Sequence, residues 1–370
     1  MSKRMLPLVM ALGAACFLAG CGDDGEPSSG TAQPAPVVAE LNATAVGKYL
    51  GLMPDSVQHV GDWDEYHYDP AKEKAICLRG DPYQVNVRRG TVNKVLLYLE
   101  GGGACWNYST CYQAAIAKIT AGSALVGGII DKDNPMNPFK DWTVIYGSYC
   151  DGSVWAGDNT LSYNNHRTFH HGLYNLSAAV TLMLRDFPNP ERIVVSGSSA
   201  GGFGTYTGYG VTRVAFPTTE VLVFDDSGPG LQNNDDQQAV QDRLNNWKFQ
   251  QVVPTTCTEC STQLTYLTDW AVQRDPSLRV AFFDYQEDSV LRFFFNLGAD
   301  DFRSLLLSVT GDVQGKFPDR IKRFMPHGET HTILELPGFF TESLQDITVH
   351  DWTVAFLAND QSVWRDLVEP

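Results

Sequence analysis

Residues 193–202 read Ile-Val-Val-Ser-Gly-Ser-Ser-Ala-Gly-Gly, an apolar β-branched run that passes through Gly197-Ser198-Ser199-Ala200-Gly201 into a helical stretch. A Gly-x-Ser-x-Gly match alone says little, because glycine and serine are common in loops. Its place directly after a strand and before a helix gives it meaning. Small residues on either side let the chain turn sharply, and the turn lifts the central hydroxyl out of the sheet. Ser199 is therefore the candidate nucleophile. Ser196 belongs to the end of the strand, and Ser198 lies one place short of the apex.

Working outward, apolar runs at 95–99, 143–146, 192–195, 221–224, 280–283 and 323–325 are nearly continuous, the pattern of strands covered on both faces. Helical patterns at 173–187, 201–209, 262–274 and 340–358 lie between or after them. Alternation of this kind predicts an α/β fold of the α/β-hydrolase type, a mostly parallel sheet flanked by helices with its site at the carboxyl ends of the strands. A second glycine cluster, Glu100-Gly101-Gly102-Gly103-Ala104-Cys105, follows the strand that ends at Leu99. Acyl transfer places negative charge on a carbonyl oxygen, and backbone amides reach that charge only where no side chain intervenes. The amides of Gly102, Gly103 and Ala200 are the expected oxyanion donors. A phosphate-cradling loop is the competing reading, but no Lys-Ser/Thr pair follows and the Gly-x-Gly-x-x-Gly spacing is absent.

An elbow serine needs an imidazole held by a carboxylate, in the chain order Ser, acid, His. His327, His331 and His350 follow Ser199. His350 falls in a helical pattern, whereas His331 follows the last long strand on a loop that Pro326 and Gly328 keep from becoming helical. His331 is preferred to His327 because the base of such an elbow lies on the loop before the final helix. Asp288, just past the strand at 280–283, is the first candidate for the acid; Asp226, Glu287 and Asp284 are the alternatives. Cys257, Cys260, His327 and His331 also invite a zinc reading. That spacing is too long for a finger, so no metal and no cofactor is expected.

The 370 residues carry a formal charge of −16, which argues against nucleic acid and anionic lipid as partners. Residues 1–20 read as a leader, with Lys3 and Arg4 ahead of a short apolar stretch, and Leu18-Ala19-Gly20-Cys21 resembles a bacterial lipobox. Cleavage there takes the charge from −16 to −18 and leaves Cys21 as the lipidated end. Residues 21–42 are expected to form a flexible tether and 43–370 one catalytic domain, a monomer whose contact with membrane is the anchor alone. Gly22, which is not the aspartate of inner-membrane retention, favours the outer membrane within the cell envelope; release as a secreted protein is the alternative. Six further cysteines in an oxidising compartment predict three disulfides out of fifteen possible pairings. Short loops favour Cys105 with Cys111 and Cys257 with Cys260, and Cys77 with Cys150 follows by elimination.

Several blocks together resemble the pectin acetylesterase family, which also includes Notum: 77–83 (Cys-Leu-Arg-Gly-Asp-Pro-Tyr), 99–107 (Leu-Glu-Gly-Gly-Gly-Ala-Cys-Trp-Asn), 149–152, 157–158, 197–202, 226–228, 288–289 and 330–331. By that resemblance the family's triad falls on Ser199, Asp288 and His331, and its oxyanion donors on Gly102, Gly103 and Ala200. Two departures stand out. A tryptophan common in the family's glycine block is replaced by Gly103 or Ala104, and the extra cysteines of eukaryotic members are missing. The expected activity is hydrolysis of O-acyl esters through an acyl-enzyme, acetate first, on a small ester or an acylated polysaccharide such as pectin. Longer acyl chains come second. Trp106, Tyr108 and Trp155 are candidates to stack on sugar or line an acyl pocket, although such residues are more often core. A non-catalytic surface binding protein on the same scaffold is the reading from another class.

Overall fold

A computed structural model describes residues 34–370. The leader at 1–20 and Cys21 lie outside the described residues. The chain runs through α1 (Val37–Leu41), β1 (Ser56–Val60), β2 (Trp63–Tyr68), β3 (Tyr83–Arg88), β4 (Lys94–Leu99), β5 (Thr143–Gly147), and a hairpin of β6 (Asn159–Tyr163) and β7 (His166–His170). It continues through α2 (Gly172–Asp186), β8 (Arg192–Ser198), α3 (Ala200–Ala215), β9 (Glu220–Asp226), α4 (Gln237–Trp247), α5 (Tyr266–Arg274), β10 (Val280–Phe283), α6 (Ser289–Phe295), α7 (Ala299–Lys316) and β11 (Ile321–Met325). The C-terminal part holds β12 (Ser343–Leu344), β13 (Ile347–Thr348), α8 (Val349–Ala358) and β14 (Leu367–Val368).

Ten strands form one sheet in the order β1-β2-β3-β5-β4-β8-β9-β10-β11-β14. From β5 to β14 every pairing is parallel, while β1, β2, β3 and β5 meet antiparallel. This is the α/β-hydrolase-like architecture expected from the alternation of elements. The apolar runs are continuous because residues of alternate parity serve two cores. Val95, Leu97, Leu99, Ile193 and Val195 pack with α2, α3 and α7 on one face. Leu96, Tyr98, Val194, Leu222 and Phe224 pack with Trp352 and Phe356 of α8 on the other.

The differences from the sequence reading have physical causes. The flexible tether expected over 21–42 is shorter at its C-terminal end: Val37 and Leu41 are buried and α1 packs on α3, so the folded body begins before residue 43. The helix expected over 340–358 starts only at Val349, because Gln345 and Asp346 adopt positive φ (53° and 62°) and close a β12–β13 hairpin. Among the described residues no helix is long and apolar enough to cross a membrane. The disulfides join Cys77 to Cys150, Cys105 to Cys111 and Cys257 to Cys260. With Cys257 and Cys260 bonded to each other, they do not meet His327 and His331 around a metal.

Candidate active site

Ser199 sits at the junction of β8 and α3 with φ 59° and ψ −120°, a backbone region that side chains rarely tolerate. The surrounding glycines make the turn possible. A Cβ on Gly201 would lie 1.8 Å from the Leu99 carbonyl oxygen, so the helix reaches the neighbouring strand end only without a side chain there. The Ser199 N–H donates to the Asp226 carbonyl (2.8 Å), which fastens the elbow to the end of β9.

The glycine block after β4 packs directly on this turn: a Cβ on Gly101 would stand 3.0 Å from Ser199 Cβ. Its orientation follows from where its carbonyls go. The Gly102 carbonyl accepts from the Lys118 N–H at 2.7 Å. Because the peptide is planar and trans, the Gly103 N–H on the same unit points the opposite way. The Gly103 carbonyl accepts from the Tyr149 hydroxyl (2.8 Å), which itself accepts from the Val154 N–H (3.1 Å). Gly103 has φ 73°, and a Cβ there would lie 2.1 Å from the Ile116 carbonyl oxygen, so a bulky residue has no room at this position. Lys118 also holds both carboxylate oxygens of Glu100 (2.7 and 2.6 Å), the residue that opens the block.

His331 Nδ1 lies 2.7 Å from Asp288 Oδ2. Asp288 is fully buried, and its other oxygen accepts from the Val290 and Leu291 N–H groups, both at 2.9 Å, as the cap of α6. With Nδ1–H donating to the carboxylate, Nε2 is the ring's acceptor, and it has no hydrogen-bond partner among the described residues. Hydrogen bonds from nucleophile to base are often long before substrate arrives. The rival histidines are engaged elsewhere. His327 is exposed between Glu287 Oε1 and the Pro370 carbonyl (2.9 Å each), and His350 contacts Asp351 Oδ1 (2.9 Å) and the Met136 carbonyl (2.8 Å).

The rival acids separate just as clearly. Asp226 makes no hydrogen bond to the imidazole; its carboxylate receives the Ser198 hydroxyl and the Ile333 and Leu334 N–H groups. Asp284 is fully buried with both oxygens unbonded among the described residues, and so is Asp225 on the adjacent strand. Burial, and then the charge of Asp226, pushes Asp225 well above the usual carboxylate range; burial, and then Asp225, does the same to Asp284. Glu287 is bound to His327 and to the Gly328 N–H.

A cleft of about 730 Å³, its open mouth included, adjoins Ser199, Ala200 and Gly103. Phe203, Leu244, Trp247, Leu264, Leu291 and Phe295 are among its apolar walls, and Arg243 and Gln232 are its polar members. Trp106 lines it too, whereas Trp155 is fully buried and Tyr108 stacks with Tyr112 and His166. The sequence reading missed α4 and α6, which supply much of this wall. The apolar positions Val240, Leu244 and Trp247, spaced 4 and 3 residues apart on α4, were the available signal.

A mostly parallel sheet, a serine raised on a strand-to-helix turn and a histidine paired with a buried aspartate define an α/β-hydrolase-type protein. The sequence profile of the Pectinacetylesterase family matches residues 66–274, more than half of the chain, and the protein belongs to that family. Pectin acetylesterase 11 of Arabidopsis thaliana is 28% identical over 173 residues, covering 44% of each chain. Pectin acetylesterase 4 of the same plant is 30% identical over 147 residues, 36% of each chain. The palmitoleoyl-protein carboxylesterase NOTUM of Homo sapiens is 29% identical over 175 residues, 42% of this chain and 34% of its own. The matched stretch thus spans less than half the length of each of these relatives.

Proposed function

We propose that the protein is a serine carboxylesterase in which Ser199 attacks the ester carbonyl. His331 takes the hydroxyl proton and returns it to the leaving alcohol, and Asp288 holds the imidazole tautomer. The amides of Gly102, Gly103 and Ala200 stabilise the oxyanion. Water, activated by the same imidazole, then releases the acid. The observation that carries this reading is the 2.7 Å contact of His331 with the buried Asp288, on a loop fastened to the same β9 end that holds Ser199.

On the acyl side the cleft favours a chain longer than acetate, the reverse of the order expected from the sequence. Its walls beside Ser199 are mostly apolar, and an acetyl group would leave them wet. The relatives bear names at both ends of this range, one acetyl and one palmitoleoyl. Each methylene that enters contributes about 0.8 kcal/mol, or roughly a fourfold gain in kcat/KM, until the cleft is full. Hydrolysis of p-nitrophenyl esters from acetate to palmitate by the wild type and Ser199→Ala, with fluorophosphonate labelling followed by mass spectrometry, tests the whole reading. A rise from acetate toward medium chains, with the label on Ser199, is expected. Activity greatest on acetate returns the substrate to small acyl groups, and folded protein without label on Ser199 favours the non-catalytic binder.

The leader and Cys21 further support an envelope lipoprotein. Incorporation of a labelled fatty acid, lost in Cys21→Ala, is the corresponding test.

A further inference from the structure

Asp226 is a buried carboxylate that the proposed chemistry does not use, yet more of the site converges on it than on any triad member. Its side chain is fully buried and accepts from the Ser198 hydroxyl at 2.5 Å, the Ile333 N–H at 3.0 and 3.1 Å and the Leu334 N–H at 2.9 Å. Its carbonyl accepts the N–H of Ser199 (2.8 Å). The next residue continues the pattern: the Ser227 hydroxyl accepts the Thr332 N–H (3.1 Å), and the Ser227 N–H donates to the Phe283 carbonyl (2.8 Å), where the strand that leads to Asp288 ends. From these contacts we infer that Asp226 is a positioning residue that sets the Ser199 hydroxyl against the His331 imidazole, by holding the nucleophile's turn and the histidine's loop to one carboxylate. The inference rests on the serine-esterase reading and adds a residue to it.

Two features make such a clamp necessary. Ser199, Ser227 and Thr332 have φ of 59°, 56° and 65°, so the elbow, the clamp and the base loop all occupy the left-handed region without glycine. A non-glycine residue stays there only when its surroundings hold it. Thr332 directly follows His331, and its N–H and the next two are the ones that Ser227 and Asp226 receive. Release of those bonds lets the loop relax and swings the imidazole. The second feature is the chemistry of the acceptor. Every group that meets the Asp226 carboxylate from Ser198, Ile333 and Leu334 is a donor, and the Tyr98 hydroxyl, 2.6 Å from Ser198 Oγ, completes a relay toward it. An ionised carboxylate accepts from all of them with no proton of its own to place. Burial raises its pKa, and these donors, Ser198 foremost, oppose the rise.

Asp226→Asn separates positioning from mere packing, because the isosteric amide cannot match every donor. With its oxygen in the place of Oδ2, which receives Ser198, Ile333 and Leu334, its NH2 confronts the Ile333 N–H that lies 3.0 Å from Oδ1; with the amide reversed, the Leu334 N–H loses its acceptor. Expected results with a medium-chain p-nitrophenyl ester are a fall in kcat of about 30- to 100-fold, KM within twofold, and a parallel fall in fluorophosphonate labelling rate. The low-field proton resonance of the His331 Nδ1–H should broaden or vanish. Ser227→Ala leaves the carboxylate in place, frees the Thr332 N–H and removes one long hydroxyl contact to Asp226 Oδ1 (3.4 Å), so it is expected to lose kcat about tenfold with the same broadening. It decides the matter should Asp226→Asn fail to fold. Folded Asp226→Asn with kcat within twofold of wild type overturns the inference, as does Ser227→Ala with unchanged kcat and an unchanged resonance. A wild type that hydrolyses no ester and takes no label overturns the esterase reading instead. The His331 resonance, compared between wild type and the two variants, still judges the clamp in that case.

Discussion

Replacement of Asp288 by asparagine tests the proposed triad most sharply, because the structure fixes which way the new amide must face. Oδ1 of Asp288 accepts the Val290 and Leu291 N–H groups at 2.9 Å, while Oδ2 meets His331 Nδ1 at 2.7 Å. In Asp288→Asn the amide oxygen keeps the cap. The opposite orientation would leave the buried Leu291 N–H unbonded, at about 1–3 kcal/mol, and the part-buried Val290 N–H with it. The amide NH2 therefore faces the ring and donates to Nδ1. That forces the proton onto Nε2, which becomes a donor and no longer accepts the Ser199 proton. A wrong tautomer of this kind lowers kcat by about 10⁴, equivalent to about 5.5 kcal/mol of barrier. Stability should barely change, since asparagine is a good cap and no cavity forms; the thermal midpoint is expected within a few degrees of wild type. Steady-state hydrolysis of a p-nitrophenyl ester, circular dichroism and a thermal melt suffice. Folded Asp288→Asn that retains a tenth or more of wild-type kcat refutes the assignment of Asp288 as the acid.

Three further outcomes are expected. Leu264→Trp narrows the cleft, so the ratio of kcat/KM for decanoate to that for acetate should fall at least tenfold; an unchanged ratio places the acyl chain elsewhere. Tyr149→Phe removes the hydroxyl that holds the Gly103 carbonyl. The affinity for a boronic acid analogue of the tetrahedral state should weaken about tenfold, and undiminished binding removes Tyr149 from the support of the oxyanion loop. Asp284 and Asp225 have raised folded pKa values. The folded chain thus keeps protons that the unfolded chain releases above about pH 4, and the associated stability is present below that pH and lost as pH rises toward the folded pKa. Asp284→Asn should accordingly raise the thermal midpoint at pH 8 and change it little at pH 4; equal gains at both would contradict a raised pKa at Asp284.

Much of this protein is legible along the chain. Strands β4, β5, β8, β9, β10 and β11 and helices α2, α3 and α5 follow from apolar runs and their breaks, because a strand covered on both faces must be apolar at every position. The turn at 197–201 and the glycine block at 101–103 are equally local signals, since each needs small residues where backbone approaches backbone within one short segment. Strands β1 to β3, at the antiparallel edge, were not anticipated: β1 is exposed throughout, so no alternation marks it.

Other decisions belong to the tertiary structure alone. Asp226, Asp284, Glu287 and Asp288 are carboxylates at similar strand ends, and their composition does not distinguish them. What separates them is which donors arrive from distant segments: His331 for Asp288, the 333–334 amides for Asp226, His327 for Glu287 and, among the described residues, none for Asp284. The apolar cleft is likewise assembled from α4, α6 and the loop after β4, which precedes both helices by more than a hundred residues. Sequence periodicity reports how one element meets its own core. Which carboxylate meets which donor, and which walls enclose a ligand, is set by contacts between elements, and no local pattern records them.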